Sequence, residues 1–437
     1  MRVAVIGAGI VGVTTAQALR EDGHEVTVFE RRGSVATESS FANAGFLAPG
    51  YVTPWASPDM PRKVMSQLFA RDAAVRLAGV PGPALLSWLR QWKRACEPKR
   101  YAKNRDAMLR LAQDSLARTT ALARRHSLEY EQGQGALVLL RDSSEIEQVR
   151  AGLKLLAETG LDFHLVDAEA CRRIEPALEQ ATLLKAGVHH PQAGIGNCRQ
   201  FALQLKAVLQ ADGVAFHLQR EVTRLDANER GISVHSITAD VHADSALERG
   251  PRTFSEPPSV EPFDEVVVCA AIGAPALLSS LRVRLPIQPV YGYSITLPVR
   301  HFEAYPDMGP RAALMDERFK VAITRLGERV RIAGSAELGG KPDEMREAPI
   351  ATLYRVLQDW FPAAARQAHA QTWKGARPML PDGPPAIGAS GVPHLWINTG
   401  HGSSGWALAC GSARLAADLI AGRSPGLDAA AFSPRRW

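Results

Sequence analysis

The sequence predicts an α/β fold in a two-domain, α+β arrangement, on three observations. A strand, a glycine turn, a helix and a second strand follow one another at the N terminus. A further strand runs into a second glycine-rich loop and helix near the C terminus. The 437 residues leave room for two or three packed units at roughly 150 residues each.

The first strand is Arg2 to Ile6, a β-branched apolar run too short for a helix and suited to burial on both faces. It leads into Gly7-Ala8-Gly9-Ile10-Val11-Gly12, then helix formers, then Gly23 as a stop, then a strand from Glu25 to Glu30. In such a βαβ unit Gly7 makes the tight turn, Gly9 lets the backbone approach a pyrophosphate, and Gly12 lets helix pack on strand. Glu30 stands 18 residues after Gly12, where an acid accepts hydrogen bonds from a ribose hydroxyl. Strand, helix and acid in register predict a dinucleotide site, which this unit alone does not assign to NAD or FAD.

The second glycine loop bears on that choice. Leu395 to Thr399 reads as a strand, followed by Gly400-His401-Gly402-Ser403-Ser404-Gly405-Trp406 and a helix of small residues. A nicotinamide enzyme has no obvious use for it, whereas a reduced flavin carries negative charge that a helix N-terminus and backbone N–H groups stabilise. FAD is the expected cofactor.

Composition narrows the class. A hydrophobic content of 46% and a charged content of 22% are those of a globular chain, not a disordered or fibrous one. The net charge of +6, with a pI near 9.1, is too modest to predict nucleic-acid binding. Five cysteines without a C-x-x-C pair fit a reducing compartment, and no signal peptide or spanning helix of about 18 apolar residues is visible. A cytoplasmic location is expected. No metal site is expected, because His189 and His190 are adjacent and would point apart.

Several separate stretches resemble one family, the FAD-dependent D-amino-acid oxidase superfamily, and within it the bacterial D-amino acid dehydrogenase small subunits. They are Glu38 to Gly45 (ESSFANAG) continuing through Pro49 to Trp55, Pro289 to Pro298 (PVYGYSITLP), Arg377 to Gly383 (RPMLPDG) and the GHGSSGWALACGS run from Gly400. They occur in family order over the whole chain. The resemblance implies a Rossmann-like FAD-binding domain, assembled from 1–55, 190–275 and 370–437. It also implies a substrate domain with a mainly antiparallel sheet, from 56–189 and 276–369, with a helical segment at 60–130. By the same resemblance Arg31, Ser39, Ser40, Asn43, Ala44 and Gly45 line the path from pyrophosphate to flavin, and Val222 holds the adenine through its main chain. Two positions depart from the family, which usually has Lys where this chain has Tyr291 and Asp where it has Asn197. The stretch 236–262, rich in Pro, Ser and charge, reads as a surface insert.

The activity implied is oxidation of the Cα–N bond of a D-amino acid, giving an imine that hydrolyses to a 2-oxo acid and ammonia. Alternatives are an oxidase using O₂ and a dehydrogenase for a cyclic imino acid or a biosynthetic amine. Arg377 is the expected carboxylate anchor, since a guanidinium grips a carboxylate at two points. Tyr291 and Tyr293 share one face of an alternating strand, with Gly292 facing the other way; either one phenol shares the substrate carboxylate and the other lines the side-chain pocket, or both pack in the core. His401 is expected to donate to a flavin carbonyl, or to serve through its backbone alone. Trp55 is either a lid over the pocket or an ordinary buried indole. The partners are the amino acid and an electron acceptor, a quinone or O₂. Residues 85–105 carry Trp88 and Trp92 at helical spacing among seven Lys and Arg against the single Glu97. Two readings stand: a helix packed on the core, or an amphipathic contact with the inner face of a bacterial cytoplasmic membrane.

Overall fold

The computed structural model describes residues 1–67, 73–158, 160–239, 257–300 and 308–437. Among these residues the strands form three sheets. The first runs in the order Ala386–Ala389, Leu395–Thr399, Glu265–Val268, Arg2–Ile6, Glu25–Glu30, Ala215–Leu218, and is parallel except for its Ala386–Ala389 edge. The second is an antiparallel ribbon of Arg220–Asn228, Gly231–Thr238 and Ser259–Phe263. The third is large and mainly antiparallel. It begins at the edge strand Gln371–Met379, continues through Gln288–Pro298 and Arg329–Leu338, and ends at Ala186–Ile195 and Phe46–Leu47.

The N-terminal unit forms as its sequence dictates. The helix Ile10–Glu21 ends where Gly23 takes a φ of +82°, its N–H reaching Arg20 O while that of His24 reaches Leu19 O. A Cβ on Gly12 would stand 1.8 Å from Gly7 O, so helix and turn touch only because residue 12 lacks one. The helix Gly405–Ile420 packs against Ile10–Glu21 and against Pro98–Arg125. Its small residues are the reason. A Cβ on Gly411 would come 2.8 Å from Leu111 O, and Thr14 Oγ1 reaches Ala409 O at 3.2 Å. All five cysteines are buried free thiols.

Two expectations need correcting. The segments 190–195, 371–379 and 46–47, placed with the nucleotide unit, hydrogen-bond into the large sheet, so the division between domains falls within each of the three expected blocks. Part of the helical segment also crosses over: Met108, Leu111 and Ala112 share a core with Leu408 and Leu415. The stretch 236–262 is no simple loop, since strands continue to Thr238 and resume at Ser259, with Ser236 opposite Ser259. Its interior, 240–256, lies outside the described residues. The helix Pro83–Ala95 buries Trp88 and Trp92 against Val290, Leu338 and Met379, so its tryptophans pack on the core, while Arg90, Lys93, Arg94 and Leu86 face solvent.

Candidate active site

One cavity of about 1200 Å³ runs between the parallel sheet and the large sheet. Val222, Glu30 and Arg31 border one end; Gly400 to Trp406, Trp55 and Arg377 border the other. Every residue expected to bind the cofactor borders it except Ala8 and Gly12, which lie behind the turn.

The turn is held from below. Glu30 accepts from the Ala8 N–H at 2.7 Å and from the Arg32 N–H at 2.9 Å, and Ser40 Oγ accepts from the Ile10 N–H at 3.1 Å. Burial pushes the Glu30 carboxyl above its ordinary value, against the pull of these two N–H groups. Each carboxylate oxygen keeps a lone pair for a ribose hydroxyl. Arg31 is tied to Glu38 at 2.8 Å. Gly45 takes a φ of +78° with its N–H on Asn43 Oδ1, and Ala44 O accepts from Thr324 Oγ1.

These residues fit a dinucleotide with a flavin ring. A Cβ built on Gly9 meets only Ser40 Oγ, at 3.5 Å, so the cavity side of that residue is open to a pyrophosphate. Asn398 Oδ1, Thr399 Oγ1 and Trp406 Nε1 are buried on the cavity wall without hydrogen-bond partners among the described residues, as groups awaiting a polar ligand would be. Gly400 and Gly402 take φ values of +80° and +57°, turning the loop into the start of the helix Gly405–Ile420.

His401 is buried, and burial pushes its pKa down to about 3, so the ring is neutral. Its Nε2 lies 3.0 Å from Ser412 Oγ, which itself reaches Ala409 O at 3.0 Å, so this edge of the ring is engaged with the helix.

Arg377, the expected anchor, borders the cavity. Burial alone holds its pKa down at about 10, and no carboxylate pairs with it among the described residues. Its Nη1 donates to Ser335 O at 2.7 Å. Its guanidinium lies across Gly292, where a Cβ would stand 2.3 Å from Nη2. Next to it Trp373 lies across Gly375, whose Cβ would meet the indole at 1.7 Å, and Gly292 and Gly375 are directly opposed between strands. A glycine floor therefore seats a cation and an indole side by side.

The same register sets the tyrosines apart from Arg377. Val290 faces Arg377 across the ladder and Gly292 faces Gly375, so these share one face of the sheet. Tyr291 and Tyr293 lie on the other. Tyr291 does not border the cavity. Tyr293 touches the cavity wall, but its ring packs with Ile295, Leu297 and Leu353, and its hydroxyl donates to Glu337 at 2.7 Å. Lys374 Nζ lies over both rings, at 4.5 and 5.3 Å, and pairs with Glu337 at 3.0 Å. The tyrosines thus serve a buried ion pair behind the site. A lysine at 291 would set a second ammonium against Lys374.

Asn197 also has a local reason. It caps the helix Cys198–Ala211 through Oδ1, while Nδ2 donates to Glu131 Oε2 at 2.7 Å. An aspartate would lose that donor and repel Glu131. Trp55, partly buried, borders the cavity and packs on Trp88 and Trp92 at 6.1 and 5.7 Å. Among the described residues no group of three or more His, Cys, Asp or Glu side chains could hold a metal ion.

Glycine turn, open cavity and second glycine loop define a flavin enzyme, and comparison with known proteins agrees. The chain belongs to the DAO family of FAD-dependent oxidoreductases, whose model matches residues 2–419. Among curated proteins it is similar to the D-amino acid dehydrogenase of Rhizorhabdus wittichii, 38% identical over 431 residues and 98% of each chain. It is likewise similar to that of Allorhizobium ampelinum, 38% identical over 439 residues, covering 100% of this chain and 99% of the relative. Among solved structures, the glycine oxidase of Geobacillus kaustophilus has a TM-score of 0.72 at 19% identity, covering 100% of this chain and 99% of its own. The L-proline dehydrogenase of P. horikoshii has 0.71 at 18%, covering 100% and 97%. These two likenesses speak for the fold.

Sequence reasoning missed Ser335, Trp373, Asn398 and Thr399, together with the glycine floor. A signal for the floor was present: an isolated glycine inside a strand, as in Tyr291-Gly292-Tyr293 and Lys374-Gly375-Ala376, marks a close approach by another group.

Proposed function

We propose that this protein is an FAD-dependent dehydrogenase of D-amino acids. The observation that carries the reading is Arg377, a partly buried arginine that no carboxylate pairs with among the described residues, opening on the cavity that the flavin loop borders. An isolated bridge between Met379 and His401 ties the strand of Arg377 to that loop. The names of the relatives support the substrate class and its stereochemistry.

FAD, when bound, supplies the hydride acceptor that converts the Cα–N bond of the substrate to an imine, which water hydrolyses to a 2-oxo acid and ammonia. The chain supplies binding and orientation. Arg377 takes the substrate carboxylate on the donors that Ser335 O leaves free. Trp373 and Trp55 give the cavity apolar walls that exclude water.

The acceptor in this reading is a membrane quinone in preference to O₂. What supports it is the exposed side of Pro83–Ala95, where Arg90, Lys93 and Arg94 stand beside exposed Leu86, with Val80 just before the helix. No helix among the described residues is long and apolar enough to cross a membrane, so contact would be peripheral.

The test is product formation by the holoenzyme without O₂ and with a soluble quinone. A D-amino acid should give ammonia and 2-oxo acid in equal amounts, and its L form should give neither. Oxidation of both enantiomers, or of neither, would refute the reading. Turnover with O₂ but not with the quinone would reassign the acceptor.

A further inference from the structure

We infer that Ser335 is a positioning residue for Arg377, its left-handed backbone turning a main-chain carbonyl out of the sheet and onto the guanidinium. This rests on the reading of Arg377 as the carboxylate anchor.

The strand Arg329–Leu338 pairs with Gln288–Pro298, but the register slips: Tyr291 faces Glu337 and Tyr293 faces Gly334. Three steps on one strand match two on the other, so Ser335 and Ala336 together oppose Gly292. This is a β-bulge. Its seat at Ser335 has a φ of +64°, a conformation that glycine adopts freely and other residues rarely do. Strain of this kind persists only where the surroundings hold it, and here it sits on the cavity wall.

The bulge has an identifiable product. A carbonyl in a regular ladder points at the neighbouring strand; Ser335 O instead accepts from Arg377 Nη1 at 2.7 Å. The other strand cooperates by placing Gly292 beneath the guanidinium, where any Cβ would clash. Ala336 N–H donates to Ala74 O at 2.8 Å, which pins the far side of the bulge. A guanidinium so held presents its remaining donors in a fixed orientation, and a bidentate anchor depends on that orientation. The serine hydroxyl has no hydrogen-bond partner among the described residues, so the useful group is the main-chain carbonyl. What residue 335 must do is tolerate the left-handed conformation.

That distinction sets the experiment. Holoenzyme variants Ser335→Gly, Ser335→Ala and Ser335→Thr are compared with Arg377→Ala. Binding of benzoate, a simple carboxylate probe, is followed by the shift of the flavin spectrum, alongside KM and kcat for a D-amino acid. Both variants lack the hydroxyl; glycine adopts the seat freely and alanine holds it at about the cost the parent serine already bears, so their benzoate Kd should stay within about threefold of the parent. Threonine keeps the hydroxyl but is β-branched and disfavours the seat, so Kd and KM should rise at least about tenfold with kcat nearly unchanged. The reverse order, threonine retained and glycine lost, would assign the role to the hydroxyl and overturn the inference. If threonine fails to retain flavin, a tenfold loss in glycine or alanine still overturns it, and retention in both supports it. If Arg377→Ala leaves benzoate binding unchanged, the anchor reading fails and this inference with it. If Arg377→Ala weakens binding while threonine does not, only this inference fails.

Discussion

Replacing Gly292 by alanine tests the glycine floor with a single methyl group. The backbone of residue 292 is not in the left-handed region, so alanine suits it. The added Cβ would stand 2.3 Å from Arg377 Nη2, 2.5 Å from Cζ and 2.9 Å from Nη1. No real Cβ tolerates such contacts, so one side must move, and the flexible arginine moves before the strand does. The guanidinium then leaves Ser335 O and its aim into the cavity. A hydrogen bond of a charged group is worth about 1.5–3 kcal/mol, and about 1.4 kcal/mol is tenfold, so KM for the amino acid should rise roughly 10- to 100-fold. Flavin content and melting temperature should change little, because the clash is with the end of a flexible chain. Steady-state kinetics with the flavin-loaded variant is the assay. A KM within about twofold of the parent would show that Arg377 does not lie over Gly292 in the working enzyme.

The remaining predictions concern the cofactor turn, the tyrosines and the histidine. Gly9→Ala should fold normally, since Gly9 has φ −64° and its Cβ would meet nothing closer than 3.5 Å, yet it should weaken FAD binding about tenfold or more by intruding on the pyrophosphate; titration of apoprotein with FAD measures this. Tyr293→Phe should leave KM unchanged and cost about 1–3 kcal/mol of stability, because buried Glu337 loses a donor; a rise in KM without loss of stability would return the phenol to the substrate. Because the pKa of His401 is pushed down to about 3 in the fold, its neutral burial stabilises fully above pH 6.5, the ordinary value. As pH falls from 6.5 toward 3 the unfolded chain gains a proton the fold refuses, at up to about 1.4 kcal/mol per pH unit. Urea midpoints at pH 7.5 and 5 should therefore fall more steeply in the parent than in His401→Asn, and parallel curves would contradict this.

What could be read from the chain depended on how local its cause was. Gly7, Gly9, Gly12 and Glu30 work within one βαβ unit, and the turn, helix and acid stand where spacing put them. The alternation of Tyr291, Gly292 and Tyr293 was equally legible, but alternation says only which residues share a face. Which face meets the cavity is set by pairing Val290 with Arg377, a partner 87 residues away in sequence. Residues 85–105 carried an amphipathic pattern whose apolar side was clear and whose partner, the strand ends at Val290 and Met379, was not. Ser335 gave no warning at all, because serine is not the residue a left-handed seat usually selects. The block boundaries failed for a related reason: a strand such as Gln371–Met379 pairs into the large sheet along its length and still meets the flavin loop through its last residue, Met379.

The central claim is that a D-amino acid, held through its carboxylate, delivers hydride to the flavin. The most direct measurement is the visible flavin absorbance of the oxygen-free holoenzyme mixed with D-alanine or D-proline, and separately with their L forms. A D-amino acid should bleach the flavin, the L forms should not, and Arg377→Ala should need far more substrate for the same bleaching. Bleaching by the L forms, no bleaching by either set, or an Arg377→Ala variant that bleaches at the parental concentration would contradict it.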